Sequence, residues 1–281
     1  MRRTIGIVVE LSKVRIAVLS TASVVTGYAL AARTLSVDVV APLAGVFLLA
    51  CGAGALNQYQ ERDIDGLMRR TCRRPLPARR VTPRAALAVA LALAAAGLAC
   101  LAAEPRAALL GLVALIWYNG VYTPLKRVTA FAAIPGGVVG AIPPVIGWVA
   151  GGGEILDPRI AAVALFFFLW QVPHFWLLLM RFGDDYARTG LPALTTLFDR
   201  RQLSRITYVW MLATALSCML IPVFGVADPW WTTLALVGAS LWLGWQATTM
   251  VRTQGTMLAF RRINIYALLV MSVLACSGLV G

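Results

Sequence analysis

Nine stretches of this chain carry no formally charged residue and run for at least 17 residues: 16–32, 39–60, 85–103, 107–125, 128–153, 160–180, 206–227, 229–251 and 263–281. About 20 apolar residues carry a helix across the hydrocarbon of a bilayer. Within that layer each backbone N–H and C=O has to be satisfied inside the segment or its bundle. The spacing therefore predicts an all-α polytopic membrane protein with nine transmembrane helices around a central cavity. Two further charge-free stretches, 189–198 and 253–260, are too short to cross. Only 13% of residues are charged, against about a quarter in soluble domains. The five cysteines, Cys51, Cys72, Cys100, Cys218 and Cys276, show no knuckle or disulfide spacing and read as small hydrophobes.

The basic residues order these helices across the membrane. With the N-terminus on the cytoplasmic side, all 25 lysines and arginines except Arg33, Arg106 and Arg159 fall in cytoplasmic segments. The opposite side holds Asp38, Glu104, Glu154, Asp157 and Asp228. That asymmetry predicts N-in, C-out, in agreement with an odd number of spans. The net charge of +13 is thus a topology signal and implies no nucleic-acid partner. No cleavable signal or amphipathic transit peptide is read ahead of the first apolar run, so the inner membrane of a bacterium is expected.

One segment departs from this apolar background. Residues 57–75, immediately after the second apolar run, hold three carboxylates and five arginines. On a helix Asn57, Glu61 and Asp65 fall at i, i+4 and i+8, along one face over two turns. Three oxygen-bearing side chains there suit a hard cation such as Mg²⁺, and arginines beyond them suit phosphate oxygens. The alternative is a solvated helix end that only marks topology. A second cytoplasmic segment, 181–192, places Asp184 and Asp185 between Arg181 and Arg188. Both acidic clusters lie on one side, so two half-sites can converge on one metal-bound diphosphate. Lys126 and Arg127, after the fourth run, add cations for a leaving diphosphate.

Two apolar segments also carry unusual residues. The fifth run contains Gly136, Gly137, Gly140, Pro143, Pro144 and Gly147, a pattern for close helix packing and for a helix break lining a cavity. The only histidine, His174, lies in Trp170-Gln171-Val-Pro-His174-Phe175-Trp176. It is a core residue, an iron ligand or a neighbour of a planar aromatic substrate.

Together these stretches resemble the UbiA superfamily of intramembrane prenyltransferases, and most closely the branch that farnesylates protoheme. The resemblance is carried by Asn57…Glu61-Arg-Asp63-Ile-Asp65…Arg70-Thr-Cys-Arg-Arg74-Pro75, by Tyr122-Thr-Pro-Leu-Lys126-Arg127, by the Gly137–Trp148 segment and by Trp170–Phe175 with Asp184-Asp185-Tyr186…Gly190-Leu-Pro192. It extends to Phe260-Arg-Arg…Tyr266 and so over nearly the whole chain. Glu61 stands where the family usually has Asp, and Gly183 stands where a basic residue commonly precedes the acidic pair.

The resemblance implies a single prenyltransferase domain over 1–281, with loops 61–84 and 181–205 capping a cytoplasm-facing site. It implies farnesyl transfer from farnesyl diphosphate to a vinyl group of heme b with addition of water. Asn57, Glu61, Asp65, Asp184 and Asp185 would hold Mg²⁺. Arg62, Arg70, Arg74, Lys126, Arg127, Arg181 and Arg188 would hold the diphosphate. His174, Gln171, Trp170 and Trp176 would meet the heme. A heme A synthase or a terminal-oxidase assembly factor is the protein partner so implied. The alternatives are transfer to a quinone or other aromatic acceptor, a transporter, and a heme-binding membrane protein without chemistry.

Overall fold

The structure, a computed structural model, describes residues 2–226, 230–253 and 255–280. Among them nine helices are long and apolar enough to cross a membrane: Val14–Ala32, Val37–Gln60, Pro83–Leu101, Pro105–Leu125, Ala133–Ala150, Pro158–Arg181, Arg200–Val223, Trp230–Thr253 and Thr256–Val280. They agree in number and order with the apolar runs and are referred to below as the first to ninth spans. Asp228, used above for topology, lies outside the described residues.

Local chemistry sets several boundaries. The third and sixth spans begin at prolines whose preceding residues, Thr82 and Asp157, accept hydrogen bonds from Ala85 N and Arg159 N. A proline at the first helical position loses no bond and has its φ preset. The seventh span opens with a capping box in which Asp199 and Gln202 satisfy each other's backbone amides. The ninth span differs from the expectation: it starts at Thr256 and takes in Arg261 and Arg262, so the stretch 253–260 is not merely a loop. Arg262 donates to Thr249 Oγ1 on the eighth span at 3.3 Å. Long arginine stems carry their charge to polar partners, so charge-free counting trims helix ends.

The spans form a ring in chain order, each packed on the next, and the ninth closes against the first. The first also packs broadly on the fifth, and the sixth on the ninth. Helices in lipid gain little from burying apolar area against each other, so close approach is what holds them. At Gly27 an added Cβ would lie 1.8 Å from the Pro144 carbonyl oxygen, and at Gly147 2.0 Å from that of Val24. The expected break in the fifth span falls at Gly137, between Ala133–Gly136 and Val138–Ala150. Pro143 and Pro144 lie inside the second piece. Lacking N–H groups, they leave the carbonyls of Val139 and Gly140 without helical donors, and both residues line an internal cavity.

Two features were not legible in the apolar runs. An amphipathic helix, Arg2–Leu11, precedes the first span. In the fourth span, Trp117–Tyr122 forms a π-helical segment. Such segments turn the side chains that follow and are frequent at functional sites.

Candidate active site

The second span ends at Gln60, and Glu61 leaves helical geometry at φ −102° and ψ 11° before the short helix Arg62–Asp65. The acidic face is nonetheless kept, because Glu61 N still donates to Asn57 O and Asp65 N to Glu61 O, at 3.0 and 2.8 Å. Asn57 Nδ2 donates to Glu61 Oε2 at 2.9 Å, and Glu61 forms an ion pair with Lys126. Asp65, 3% exposed, is paired with Arg74 at 2.7 Å. Asp63 points outward to Arg127 at 3.2 Å.

The second loop meets the first through Asp185, which is 7% exposed. Its two carboxylate oxygens accept from the backbone amides of Arg69 and Arg70, both at 3.2 Å. Arg70 and Arg181 each lie 5.0 Å from the Phe182 ring, and Arg181 also donates to Met257 Sδ. The two acidic loops thus meet through Asp185 and not through Asp184. Asp184 is exposed and lines a separate depression with Arg181, Asp199 and Arg200. Arg62 folds back over the Tyr59 ring at 4.6 Å, and Arg188 is exposed.

The π segment joins this cluster. Asn119 donates to Ala53 O at 3.1 Å and to Gln60 Oε1 at 3.0 Å, and Gln60 donates back to Asn119 O. Thr123 accepts from Asn57 Nδ2 at 3.0 Å. The turn so held sets Tyr118 and Tyr122 on the wall of the cavity and Lys126 above Glu61, its ammonium 4.9 Å from the Tyr122 ring. Lys13, at a left-handed φ of 50°, donates to Asn57 Oδ1 at 2.6 Å. In the sequence Lys13 is only one of the cytoplasmic basic residues that mark topology, and Asn119, Thr123 and Tyr118 carry no motif signal of their own. A lysine at the edge of an apolar run carries no spacing signal, and the others depend on the π turn.

Electrostatics follows from this crowding. Burial alone would raise the Glu61 carboxyl, but the adjoining Lys126 and Lys13 and the Asn57 amide hold it below the usual carboxylate range. Burial pushes the Lys13 amine down to about 7; Arg74 adds to this and Glu61 opposes it.

Below the cluster lies a cavity with about 980 Å³ of space, part of it open to the outside. Its walls come from the first, second, fourth, fifth and sixth spans, and Lys13, Tyr118 and Tyr122 stand at the polar end. Gln171 and Phe175 enter it from the sixth span. Trp170 donates to Ile263 O and lies 4.9 Å from the His174 ring, which also faces Phe260 at 5.1 Å. The buried Nδ1 of His174 has no hydrogen-bond partner. Trp176 points elsewhere, packing edge-on against Trp210 of the seventh span.

Among the described residues no three acidic, histidine or cysteine side chains gather as a metal cluster by themselves. The donor set nevertheless fits a hard divalent cation: the Asn57 amide oxygen and the Glu61, Asp65 and Asp185 carboxylates supply only oxygens. Each is engaged by an N–H or ammonium group of the chain, which is the interaction a cation would replace.

Residues 18–272 match the UbiA prenyltransferase family. The chain is 48% identical over 216 residues to a protoheme IX farnesyltransferase of Geobacter sulfurreducens, covering 76% of this chain and 80% of that one. It is 37% identical over 278 residues to the enzyme of the same name from Oleidesulfovibrio alaskensis, covering 96% of each. Among solved structures, one of digeranylgeranylglyceryl phosphate synthase superposes with a TM-score of 0.80 over 99% of both chains at 12% identity. A UbiA homolog from Archaeoglobus fulgidus bound to GPP and Mg²⁺ superposes with a TM-score of 0.72, over 97% of this chain and 99% of that one, at 16% identity.

Proposed function

The chain belongs to the UbiA prenyltransferase family, and on that premise we propose that it transfers the farnesyl group of farnesyl diphosphate to a vinyl group of protoheme, with addition of water. It is a prenyltransferase enzyme and a multi-pass membrane protein. The observation that carries the proposal is the joining of an oxygen-rich, cation-laced cluster to the polar end of an apolar cavity. The protoheme acceptor rests on the relatives' activity and on the Trp170–Phe175 segment.

Asn57, Glu61, Asp65 and Asp185 would hold Mg²⁺, which when bound neutralises charge on the leaving diphosphate. Lys126, Arg74 and Arg70 would take diphosphate oxygens as the allylic C–O bond breaks, a role supported by their contacts to Glu61, Asp65 and Phe182 in the same cluster. The rings of Tyr118 and Tyr122 line the space into which the allylic cation is released, and aromatic faces stabilise a cation. Apolar walls from five spans keep bulk water from that cation until the vinyl π electrons attack it. That attack leaves a cation on the vinyl carbon next to the porphyrin, and water adds there to give the hydroxyl, losing its proton to the released diphosphate. His174, with its free Nδ1, is the group that orients or ligates the heme.

The whole chain, 1–281, acts as one domain, with the connections 61–82 and 182–199 over the active site; the expected loops 61–84 and 181–205 were longer because their ends are already helical. The Lys/Arg asymmetry supports an N-in, C-out arrangement in the inner membrane, with the site open to the cytoplasm. A heme A synthase or a terminal-oxidase assembly factor would take up the product.

The test uses detergent-purified protein with heme b, farnesyl diphosphate and Mg²⁺, with and without chelator, and products read by chromatography and mass spectrometry. The expected product is a chelator-sensitive heme species heavier by a farnesyl group plus water. Unmodified heme beside a prenylated phenolic acceptor would overturn the acceptor and keep the enzyme class.

A further inference from the structure

Among the described residues, Lys13 is the one cation of the cluster that reaches it from outside the two acidic loops and the 122–127 turn. The amphipathic helix Arg2–Leu11 is fixed to the second span by Gln58, whose Nε2 donates to Glu10 O and Leu11 O, both at 2.9 Å. Glu10 is in turn held by Arg80 of the first loop at 2.7 Å. The chain turns beside Gly54, where an added Cβ would lie 3.1 Å from Ser12 O. Lys13 follows in the left-handed region, a conformation disfavoured for a residue with a Cβ unless its surroundings enforce it. Its ammonium, at the polar end of the cavity, donates to Asn57 Oδ1 at 2.6 Å. That oxygen is the donor the Proposed function assigns to the divalent cation.

We propose that Lys13 is an exchangeable occupant of the metal position: its ammonium and a divalent cation compete for Asn57 Oδ1, and the displaced ammonium becomes a ligand of the diphosphate. The inference rests on the metal–diphosphate reading of the cluster. An ammonium and a divalent cation on the same amide oxygen would be close neighbours, and the repulsion between like charges that near favours exchange over sharing. The lysine stem is flexible and its three N–H groups can turn to a phosphate within the same cavity end. The anchored helix keeps the stem from leaving the site.

The test is direct binding of Mn²⁺ and of inorganic pyrophosphate to the detergent-purified full chain, with Mn²⁺ followed by electron paramagnetic resonance. Lys13→Met is expected to bind Mn²⁺ about tenfold more tightly than wild type without pyrophosphate, since the competitor is gone, and to bind pyrophosphate with Mn²⁺ about tenfold more weakly. Lys13→Arg should restore pyrophosphate affinity at least in part. The opposite signs separate exchange from simple damage, which weakens both. Unchanged affinities, or weakening of both with Lys13→Met, would overturn the proposal. Glu61→Gln serves as the control for the underlying reading. If wild type binds Mn²⁺ with pyrophosphate and Glu61→Gln does not, the metal reading stands whatever Lys13 does. If wild type binds no Mn²⁺ under either condition, the metal reading and the exchange fall together.

Discussion

Asp185 accepts hydrogen bonds from two consecutive backbone amides, those of Arg69 and Arg70, and so ties the two acidic loops into one cap. Its neighbour Asp184 is exposed and faces another depression. Asp185→Asn is therefore expected to lower farnesyl transfer by about 100-fold or more, as for loss of a preorganised electrostatic group. Asp184→Asn should stay within about threefold of wild type, as exposed substitutions commonly do. Rates of heme product formation for the two variants decide it. Equal losses would remove the distinction.

Glu61 bridges Asn57 and Lys126. Glu61→Gln keeps the shape and removes the charge, so turnover should be lost while heme binding, read from the absorption spectrum, is mostly retained. Glu61→Asp restores the carboxylate on a shorter arm and should recover part of the rate. Near-normal activity of Glu61→Gln would rule out this carboxylate as a metal ligand.

A Cβ at position 140 would lie 2.2 Å from Gln171 Oε1. Gly140→Ala must push the Gln171 side chain out of its place on the cavity wall. Overpacking of this kind costs about 1–3 kcal/mol, to be read as a lower thermal midpoint in detergent. Gly140→Ala combined with Gln171→Ala should recover most of that loss, because the clash is with the side chain rather than the backbone.

The unpartnered Nδ1 of His174 predicts a separable effect on the acceptor. His174→Phe keeps a ring in tilted contact with Trp170 and Phe260. It should weaken heme b binding or change the heme spectrum while leaving the KM for farnesyl diphosphate within about threefold, because distant independent sites act additively. An unaltered heme titration would return His174 to a packing role.

Much of this was legible from residues alone because the bilayer imposes a length rule and a polarity rule. The nine spans, the i, i+4, i+8 placement of Asn57, Glu61 and Asp65, and the pairing of two acidic loops on one side follow from them. Boundaries were harder where arginines continue a helix, as at Arg261 and Arg262, since a long side chain lets charge sit where the backbone is still helical. The choice between Asp184 and Asp185 depends on which one meets the 69–70 amides, a tertiary contact more than 100 positions away in sequence. Trp176 and His174 are two residues apart, and a helix turns such pairs to different faces, so proximity in the motif overstated Trp176. Lys13 was hidden because its place comes from the left-handed turn between the amphipathic helix and the first span and not from its sequence neighbours.

The π segment at Trp117–Tyr122 has a further consequence for how the fourth span works. A regular helix keeps one orientation from end to end, so a single amino-acid pattern must serve one environment throughout. The wider turn resets the angular phase. Leu109, Leu112 and Val113 stay turned to the outside, while Tyr122 is turned to the cavity wall, Thr123 to Asn57 and Lys126 to Glu61. One span is thereby two tools on a common shaft, and a deletion that restored the regular helical phase would turn Lys126 away from Glu61 while leaving the lysine itself chemically intact.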